Sequence, residues 1–214
     1  LSIAVIMFYL MHRAGQGKLE TVRKLPPMLA MEEAVGRAVE MGRPILITPG
    51  IPDEFSPQIL VGLEAIRYVT RIASEKGGRI LVAVGPARHL PIARENYHIG
   101  CIEGGMPELF DEKNVYFFTE QQWAYGSGVM GIMQRERPAS CLFIGEFWVE
   151  GIHFGIQSRR IKTIAIGANP FYSMAAFMFI TMDYTLFGEE VFAAGAYMTE
   201  DPVTISSLAT EDIV

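Results

Sequence analysis

Hydrophobic positions follow two patterns along most of the chain, a helical spacing and short continuous runs. From Met28 to Met41, apolar residues recur at i, i+3 and i+4, which predicts an amphipathic helix that ends at Gly42. A short apolar strand, Ile45 to Thr48, follows and runs into Pro49 and Gly50. Wholly apolar runs of this kind are typical of parallel strands that are covered on both faces.

The same helix and strand alternation continues for more than a hundred residues. Because strands that alternate with helices favour a parallel sheet with right-handed crossovers, we predict a doubly wound α/β fold with a mostly parallel, five-stranded, Rossmann-like sheet. The further predicted strands are Arg79–Val84, Val115–Thr119, Cys141–Phe147 and Lys162–Gly167, and the further helices are Pro57–Lys76, Arg88–Gly100, Gly126–Arg135 and a segment that ends near Arg160.

The amino end predicts attachment to a membrane. Leu1 to Met11 carries no charge, but a helix needs about 20 residues to cross a bilayer. Since His12 and four Lys or Arg residues follow around one acid, we expect residues 1–14 to be the cytoplasmic end of a longer membrane helix, with the bulk of the chain in the cytoplasm. The alternatives are a signal-peptide core and a helix buried against another subunit.

The predicted domain organisation continues with a linker over residues 15–27, the α/β domain over 28–170 and a helical extension over 171–214. Phe171 to Phe187 is apolar up to Asp183 and is too short to cross a bilayer, so it predicts a core or subunit-interface helix. Gly188 to Met198 predicts a helix whose small residues allow close approach of a neighbour. Val203 to Val214 predicts the start of another helix.

Composition excludes some classes of function. The net charge of −6 and the absence of a long basic run argue against nucleic-acid binding. The two cysteines, Cys101 and Cys141, lie forty residues apart, which argues against a disulfide framework or a thiolate zinc site and favours a reducing compartment. We expect no cofactor and no metal ion.

Ligands of open parallel sheets bind at the carboxyl ends of the strands. The predicted strand ends bring six residues to one edge, where glycine would let a ligand approach the backbone. The alternative is that the glycines serve tight turns and the polar residues form a solvated rim. The six residues are Gly50, Gly85, Arg88, His89, Glu146 and Asn169.

A second candidate site is the segment from Gly126 to Gly131, where Gly126, Gly128 and Gly131 match the dinucleotide pattern G-x-G-x-x-G. The preceding predicted strand ends about seven residues earlier, whereas the fingerprint directly follows its strand. The alternative is therefore a glycine-rich helix start packed under Trp123 or Tyr125.

Other catalytic signatures are weak. Glu146, Glu150 and His153 could bind a metal ion and support a hydrolase, but their spacing is not diagnostic. The sequence contains neither a phosphate-binding G-x-x-x-x-G-K-[ST] loop nor a G-x-S-x-G nucleophile elbow.

The segment that leads into the first strand resembles a prokaryotic family of membrane-anchored proteins that share a domain of unknown function. The resemblance covers about residues 31–169, and it implies a membrane-tethered α/β domain without assigning any catalytic residue. Its pattern falls on Glu33, Ala34, Arg37, Ala38, Glu40, Met41, Gly42, Arg43, Pro44, Pro49 and Gly50.

Together these features predict a non-enzymatic structural or assembly subunit of a homo-oligomeric membrane complex. Its expected partners are copies of itself or other membrane-protein subunits. The alternative is a Rossmann-like domain that binds a nucleotide, a dinucleotide or another small ligand at the carboxyl ends of the strands.

Overall fold

The computed structural model describes residues 26–52 and 54–199 of the 214-residue chain. Six strands and seven α-helices alternate along this part of the chain. The strands are β1 Ile45–Gly50, β2 Ile80–Val84, β3 Val115–Phe117, β4 Ser140–Glu146, β5 Ile164–Asn169 and β6 Tyr184–Phe187. The helices are α1 Pro26–Glu40, α2 Pro57–Ser74, α3 Leu90–Glu103, α4 Gln122–Glu136, α5 Val149–Ile161, α6 Tyr172–Thr181 and α7 Glu190–Thr199.

All six strands form one parallel sheet in the order β3-β2-β1-β4-β5-β6. The chain moves outwards from β1 to β3, then returns to the centre and moves outwards again from β4 to β6. The direction therefore reverses between β1 and β4, which is the topological switch point of a doubly wound fold. The predicted parallel α/β fold is confirmed, and the predicted number of five strands is wrong.

The sixth strand lies where the sequence predicts one helix from Phe171 to Phe187. Helix α6 ends at Thr181, and the Arg159 guanidinium donates to the carbonyl oxygens of Ile180 (2.6 Å) and Thr181 (3.0 Å). Asp183 then pairs with β5, since its carboxylate and its backbone N–H both bond Ala165, at 2.8 and 3.0 Å. A four-residue strand is too short to show a period of its own, so the exposed edge of β5 decides its conformation.

The sheet is covered on both faces. Helices α1, α2, α3 and α7 surround one apolar cluster, and α4 to α6 surround the other. Along β1, Ile45 and Ile47 belong to the first cluster and Leu46 to the second. Every residue of β1, β2 and β4 is buried, which explains why the strand sequences are continuous apolar runs rather than alternating ones.

Two predicted helix starts need correction because they bear on the candidate sites. Helix α3 begins at Leu90, after a 3-10 turn over Ala87–His89, rather than at Arg88. Helix α4 begins at Gln122, four residues before the predicted Gly126.

The predicted membrane attachment concerns residues 1–14, which lie outside the described residues, as do most of the linker and the predicted helix over 203–214. Of the helices in residues 26–52 and 54–199, none combines the length and apolar character needed to cross a membrane.

Candidate functional site

At the switch point, two glycines bring the carboxyl ends of β1 and β4 together. The pairing of these strands continues to Gly50 and Glu146 through a shift in register. Gly50 has a φ of +105° and Gly145 a φ of +144°, backbone angles that residues other than glycine rarely adopt. A Cβ atom on Gly50 would collide with the carbonyl oxygen of Glu146, and one on Gly145 with that of Pro49. Glycine at position 50 therefore allows the two strand ends to come into close contact.

Helix α2 lies directly against these strand ends. Gly62 is buried in the helix, and a Cβ atom there would collide with the carbonyl oxygen of Ile144 and lie 2.8 Å from the Cα of Pro49. In dinucleotide-binding folds, one conserved glycine likewise allows a helix to pack closely against the sheet. Here it brings the amino end of α2 beside the end of β4.

The carboxylate of Glu146 lies at that amino end. The side chain is only 7% exposed, and its Oε2 accepts hydrogen bonds from Ser56 Oγ (3.3 Å) and from Gln58 Nε2. Ser56 has the extended conformation of an N-cap and Pro57 is the first helical residue, a combination that starts helices efficiently. A negative charge is stabilised near the amino end of a helix. In doubly wound folds that bind nucleotides, a phosphate lies at such a helix end, and here the carboxylate of Glu146 lies there.

Glu150 is held in a similar way by its own surroundings. It is 2% exposed, and it accepts hydrogen bonds from the backbone N–H of Trp148 (2.9 Å) and from Gln122 Nε2. His153 lies on the same helix and packs edge-on against Trp123, with ring centroids 6.1 Å apart. No group of three metal-ligating side chains forms within residues 26–52 and 54–199, so Glu146, Glu150 and His153 do not assemble the metal site considered from the sequence.

Asn169 is buried at the end of β5 and has both ends of its amide engaged. Its Nδ2 donates to the carbonyl oxygen of Phe147 (2.7 Å), and its Oδ1 accepts from the backbone N–H of Phe171 (3.1 Å). The side chain therefore joins the loop after β4 to the loop after β5.

The residues after β2 have separate surroundings. Arg88 is exposed, whereas His89 is buried with its ring 5.0 Å from that of Phe55. A Cβ atom on Gly85 would lie 3.3 Å from the ring of Tyr125, in a tight but not impossible contact. Tyr125 is itself fully buried and is hydrogen-bonded to Thr48, and burial raises the pKa of its hydroxyl.

The glycine pattern of Gly126, Gly128 and Gly131 lies inside α4, where it forms no phosphate-binding turn before the helix. A Cβ atom on Gly128 would collide with the ring of Phe118, and one on Gly126 would lie 3.4 Å from the Cβ of Glu150. Nothing lies within 4 Å of such an atom on Gly131. The contact with Phe118 accounts for Gly128, and nothing in the structure requires glycine at Gly126 or Gly131.

Sequence reasoning missed the partners of the buried carboxylates. Gln58 and Gln122 lie 88 and 28 positions from the acids they contact, so no local pattern connects them. The one local signal is the Ser56-Pro57 pair, which marks the start of a helix but not its acidic neighbour. Through these hydrogen bonds, which involve one oxygen of Glu146 and both oxygens of Glu150, the two carboxylates brace the loops of this edge.

A different surface stands out by its exposure. Helix α6 buries only Ala175 and Met178, and most of its other large side chains face outwards. The exposed fractions are 66% for Tyr172, 47% for Phe177, 65% for Phe179 and 64% for Ile180. We call these four residues and the adjoining edge strand β6 the α6–β6 surface. It contains no charged side chain, whereas the carboxyl edge of the sheet is held together by buried acids.

Comparison with known proteins gives a family but no function. No curated protein and no solved structure matches the chain. One family model, described as a domain of unknown function (DUF6754), matches residues 1–214. The chain therefore belongs to the DUF6754 family of proteins that share a domain of unknown function.

Proposed function

We propose that this domain is a non-catalytic assembly subunit of a membrane-associated homo-oligomer, and that its copies meet through the α6–β6 surface. The observation that carries the proposal is the exposure of four large apolar side chains on one helix, Tyr172, Phe177, Phe179 and Ile180. Contiguous exposed apolar patches of this kind mark interaction sites in folded proteins. Aromatic residues are also enriched in protein interfaces.

The size of the surface supports self-association. An aromatic side chain buries about 150–250 Å² when it is fully covered, so the exposed fractions give roughly 500 Å² per copy. Two copies would bury roughly 1,000 Å² from these side chains alone, which reaches the lower limit for a specific interface.

The sheet provides a second element of contact beside the helix. Strand β6 pairs with β5 on one side only, and no described strand pairs with its outer edge. An edge strand offers unpaired backbone groups to another chain. Pairing of β6 with its symmetry mate would place the two α6 helices on the same side of a continuous sheet, which is a closed two-fold arrangement.

The membrane part of the proposal rests on the sequence. The uncharged residues 1–11 and the basic residues that follow support attachment through the amino end, with the α/β domain on the cytoplasmic side. The resemblance of the sequence to a prokaryotic family of membrane-anchored proteins supports the same arrangement. A tether of this kind would concentrate copies in two dimensions and favour a modest interface.

Native mass spectrometry over a range of protein concentrations tests the self-association. We expect the wild-type chain to form a discrete oligomer and the double variant Phe179→Glu/Ile180→Glu to be monomeric, because the interface would have to bury two unpaired carboxylates. The matched control is Leu29→Glu/Met41→Glu, which places the same two charges on α1 and in the turn after it, at residues that are 45% and 57% exposed. A monomeric wild type, or a double variant that assembles like the control, would contradict the proposal.

A nucleotide-binding function is the second candidate, and the strand order favours it, because this order is that of dinucleotide-binding domains. The position of Glu146 opposes it, since a carboxylate at the amino end of α2 would repel a phosphate. A thermal-shift screen with ATP and NAD decides between the two. A ligand at 100 times its dissociation constant adds about 2.7 kcal/mol to the stability, and we expect no such stabilisation.

A further inference from the structure

A groove on the opposite side of the sheet from α6 has no role in the proposed assembly. It lies over α2, between α3 and α7, and has a volume of about 460 Å³. Its walls are mainly apolar, and two of their side chains face water, since Leu60 is 51% exposed and Ile92 is 38% exposed. Removal of such apolar area from water is favourable, so this α2–α7 groove is a surface against which another segment can pack.

Charge does not select what covers the groove. A polar pocket of about 220 Å³ continues it, and the two arginines and two glutamates that line this pocket balance one another. Arg67 Nε donates to Glu103 Oε2 at 3.0 Å, and Arg67 Nη1 lies 3.6 Å from Glu64 Oε1. Glu64 also lines the groove itself. The identity of the occupant therefore follows from the apolar walls and from the chain that reaches them.

Helix α7 carries the chain along the groove. A Cβ atom on Gly195 would lie 2.8 Å from Val61 of α2. Four residues later, Thr199 lies with Glu64 in the lining of both the groove and the polar pocket. The chain therefore leaves the described residues at the Glu64 end of the groove, beside apolar side chains that no segment of residues 26–52 and 54–199 covers.

The sequence after Thr199, which lies outside the described residues, predicts a turn and an amphipathic helix. Asp201 and Pro202 form a typical helix start, with Asp as the N-cap and Pro at the first helical position. Ser207 and Thr210 then fall on one side of the predicted helix, and three apolar residues fall on the other side at a spacing of i, i+3 and i+4. The three apolar residues are Ile205, Leu208 and Ala209.

The connection is short enough to set the direction of this helix. Residues 200–202 would join it to α7, and helix hairpins have connections of about two to five residues. The helix would therefore run back over α2, antiparallel to α7, from Glu64 towards Pro57. Pro57 to Glu64 and Ile205 to Asp212 each span about 10 Å at 1.5 Å per residue, so the apolar residues match the length of the groove and Asp212 would lie at its far end. The amino end of the helix would lie beside the Glu64 carboxylate, and such an end stabilises a negative charge.

The tether gives this segment an advantage over any separate occupant. A segment joined by a short linker has an effective concentration in the millimolar range at its docking site. A modest apolar contact therefore suffices to hold it in the groove, whereas a second copy or a small ligand would have to displace it.

We propose that residues 203–210 dock in the α2–α7 groove of the same chain as a helix antiparallel to α7, with Ile205, Leu208 and Ala209 against Leu60 and Ile92. The docked segment is a strap that covers this apolar surface, so that the groove does not compete with the α6–β6 surface for other copies of the chain.

Alkylation of an engineered cysteine by iodoacetamide tests the docking in the full chain. Both natural cysteines are buried, so Leu60→Cys places one accessible thiol in the groove. Relative to its rate in denaturing urea, this thiol should react at least about tenfold more slowly than that of Met41→Cys, which replaces a residue that is 57% exposed. Leu208→Glu should raise the rate of the Leu60→Cys thiol at least about tenfold, because it would place a carboxylate against the apolar walls. The matched control, Ser207→Glu, places the charge on the opposite side of the predicted helix and should leave the rate unchanged.

Oxidation of the double variant Leu60→Cys/Leu208→Cys identifies the docked segment directly. Mass spectrometry should show a disulfide within one chain. The control Ile156→Cys/Leu208→Cys should form at least about tenfold less of it, because Ile156 lies on α5, which covers the other face of the sheet.

A Leu60→Cys thiol as reactive as that of Met41→Cys, protection that Leu208→Glu leaves unchanged, or a disulfide no more frequent than in the control would each overturn the proposal. A disulfide between two chains would overturn it as well, since it would identify a second copy as the occupant. Both measurements should give the same result in the monomeric background Phe179→Glu/Ile180→Glu. Failure of the docking and failure of assembly through the α6–β6 surface are therefore separate outcomes.

Discussion

Removal of the Glu146 carboxylate should destabilise the fold by about 3 kcal/mol. In Glu146→Ala, the buried amide of Gln58 loses its acceptor, and a buried unsatisfied donor costs about 1–3 kcal/mol. Loss of the negative charge at the amino end of α2 adds about 0.3–2 kcal/mol. Ser56 is only half-buried and can bond water, so it adds little. Glu146→Gln keeps an oxygen acceptor and should cost less, about 1 kcal/mol.

Urea unfolding measures this effect. With a slope of about 2 kcal/mol per molar urea, Glu146→Ala should lower the midpoint by about 1.5 M without a change in slope. The control is Glu120→Ala, which removes an exposed acid near the same edge and should change stability by less than about 0.5 kcal/mol. Equal midpoints for the two alanine variants would refute the bracing role of Glu146, and stabilisation of the wild type by NAD or ATP would restore the ligand-binding interpretation of this edge.

Two further predictions concern the packing of the sheet. Gly62→Ala should lower the free energy of unfolding, measured in urea, by more than about 1 kcal/mol, because the alanine Cβ would collide with the Ile144 carbonyl oxygen. This loss would occur although alanine has the better helix propensity. The control Gly36→Ala, whose Cβ would have an ordinary 3.5 Å contact, should raise the free energy of unfolding by up to about 1 kcal/mol. Burial raises the pKa of Cys141 from 9.0 to about 12, so the stability that its neutral thiol contributes is present below pH 9 and is lost as the pH rises towards 12. Urea unfolding at pH 8 and 10 should show a smaller loss of stability in Cys141→Ala than in the wild type, and equal losses would contradict the assignment.

The sequence by itself determined the parallel α/β fold. Continuous apolar runs such as Ile45–Ile47 and Ile80–Val84 can be buried on both faces only in a sheet with helices on each side, and the intervening segments have helical spacing. Gly42 marks the turn after α1, and Ser56-Pro57 marks the start of α2. These signals are local, so they can be read from neighbouring positions.

Tertiary structure alone decided β6, the carboxylate contacts and the outward face of α6. Tyr184 to Phe187 becomes a strand because the edge of β5 supplies its hydrogen bonds, and the preceding Asp183 bonds Ala165 of the same edge. Glu146 meets Gln58 across 88 positions, so its role as a brace depends on the crossing of β4 beside β1. The sequence from Phe171 to Met182 is apolar on all sides, and only the fold shows that the sheet covers one narrow side of it. Local patterns specify which residues form elements, whereas pairing and coverage depend on which distant elements become neighbours.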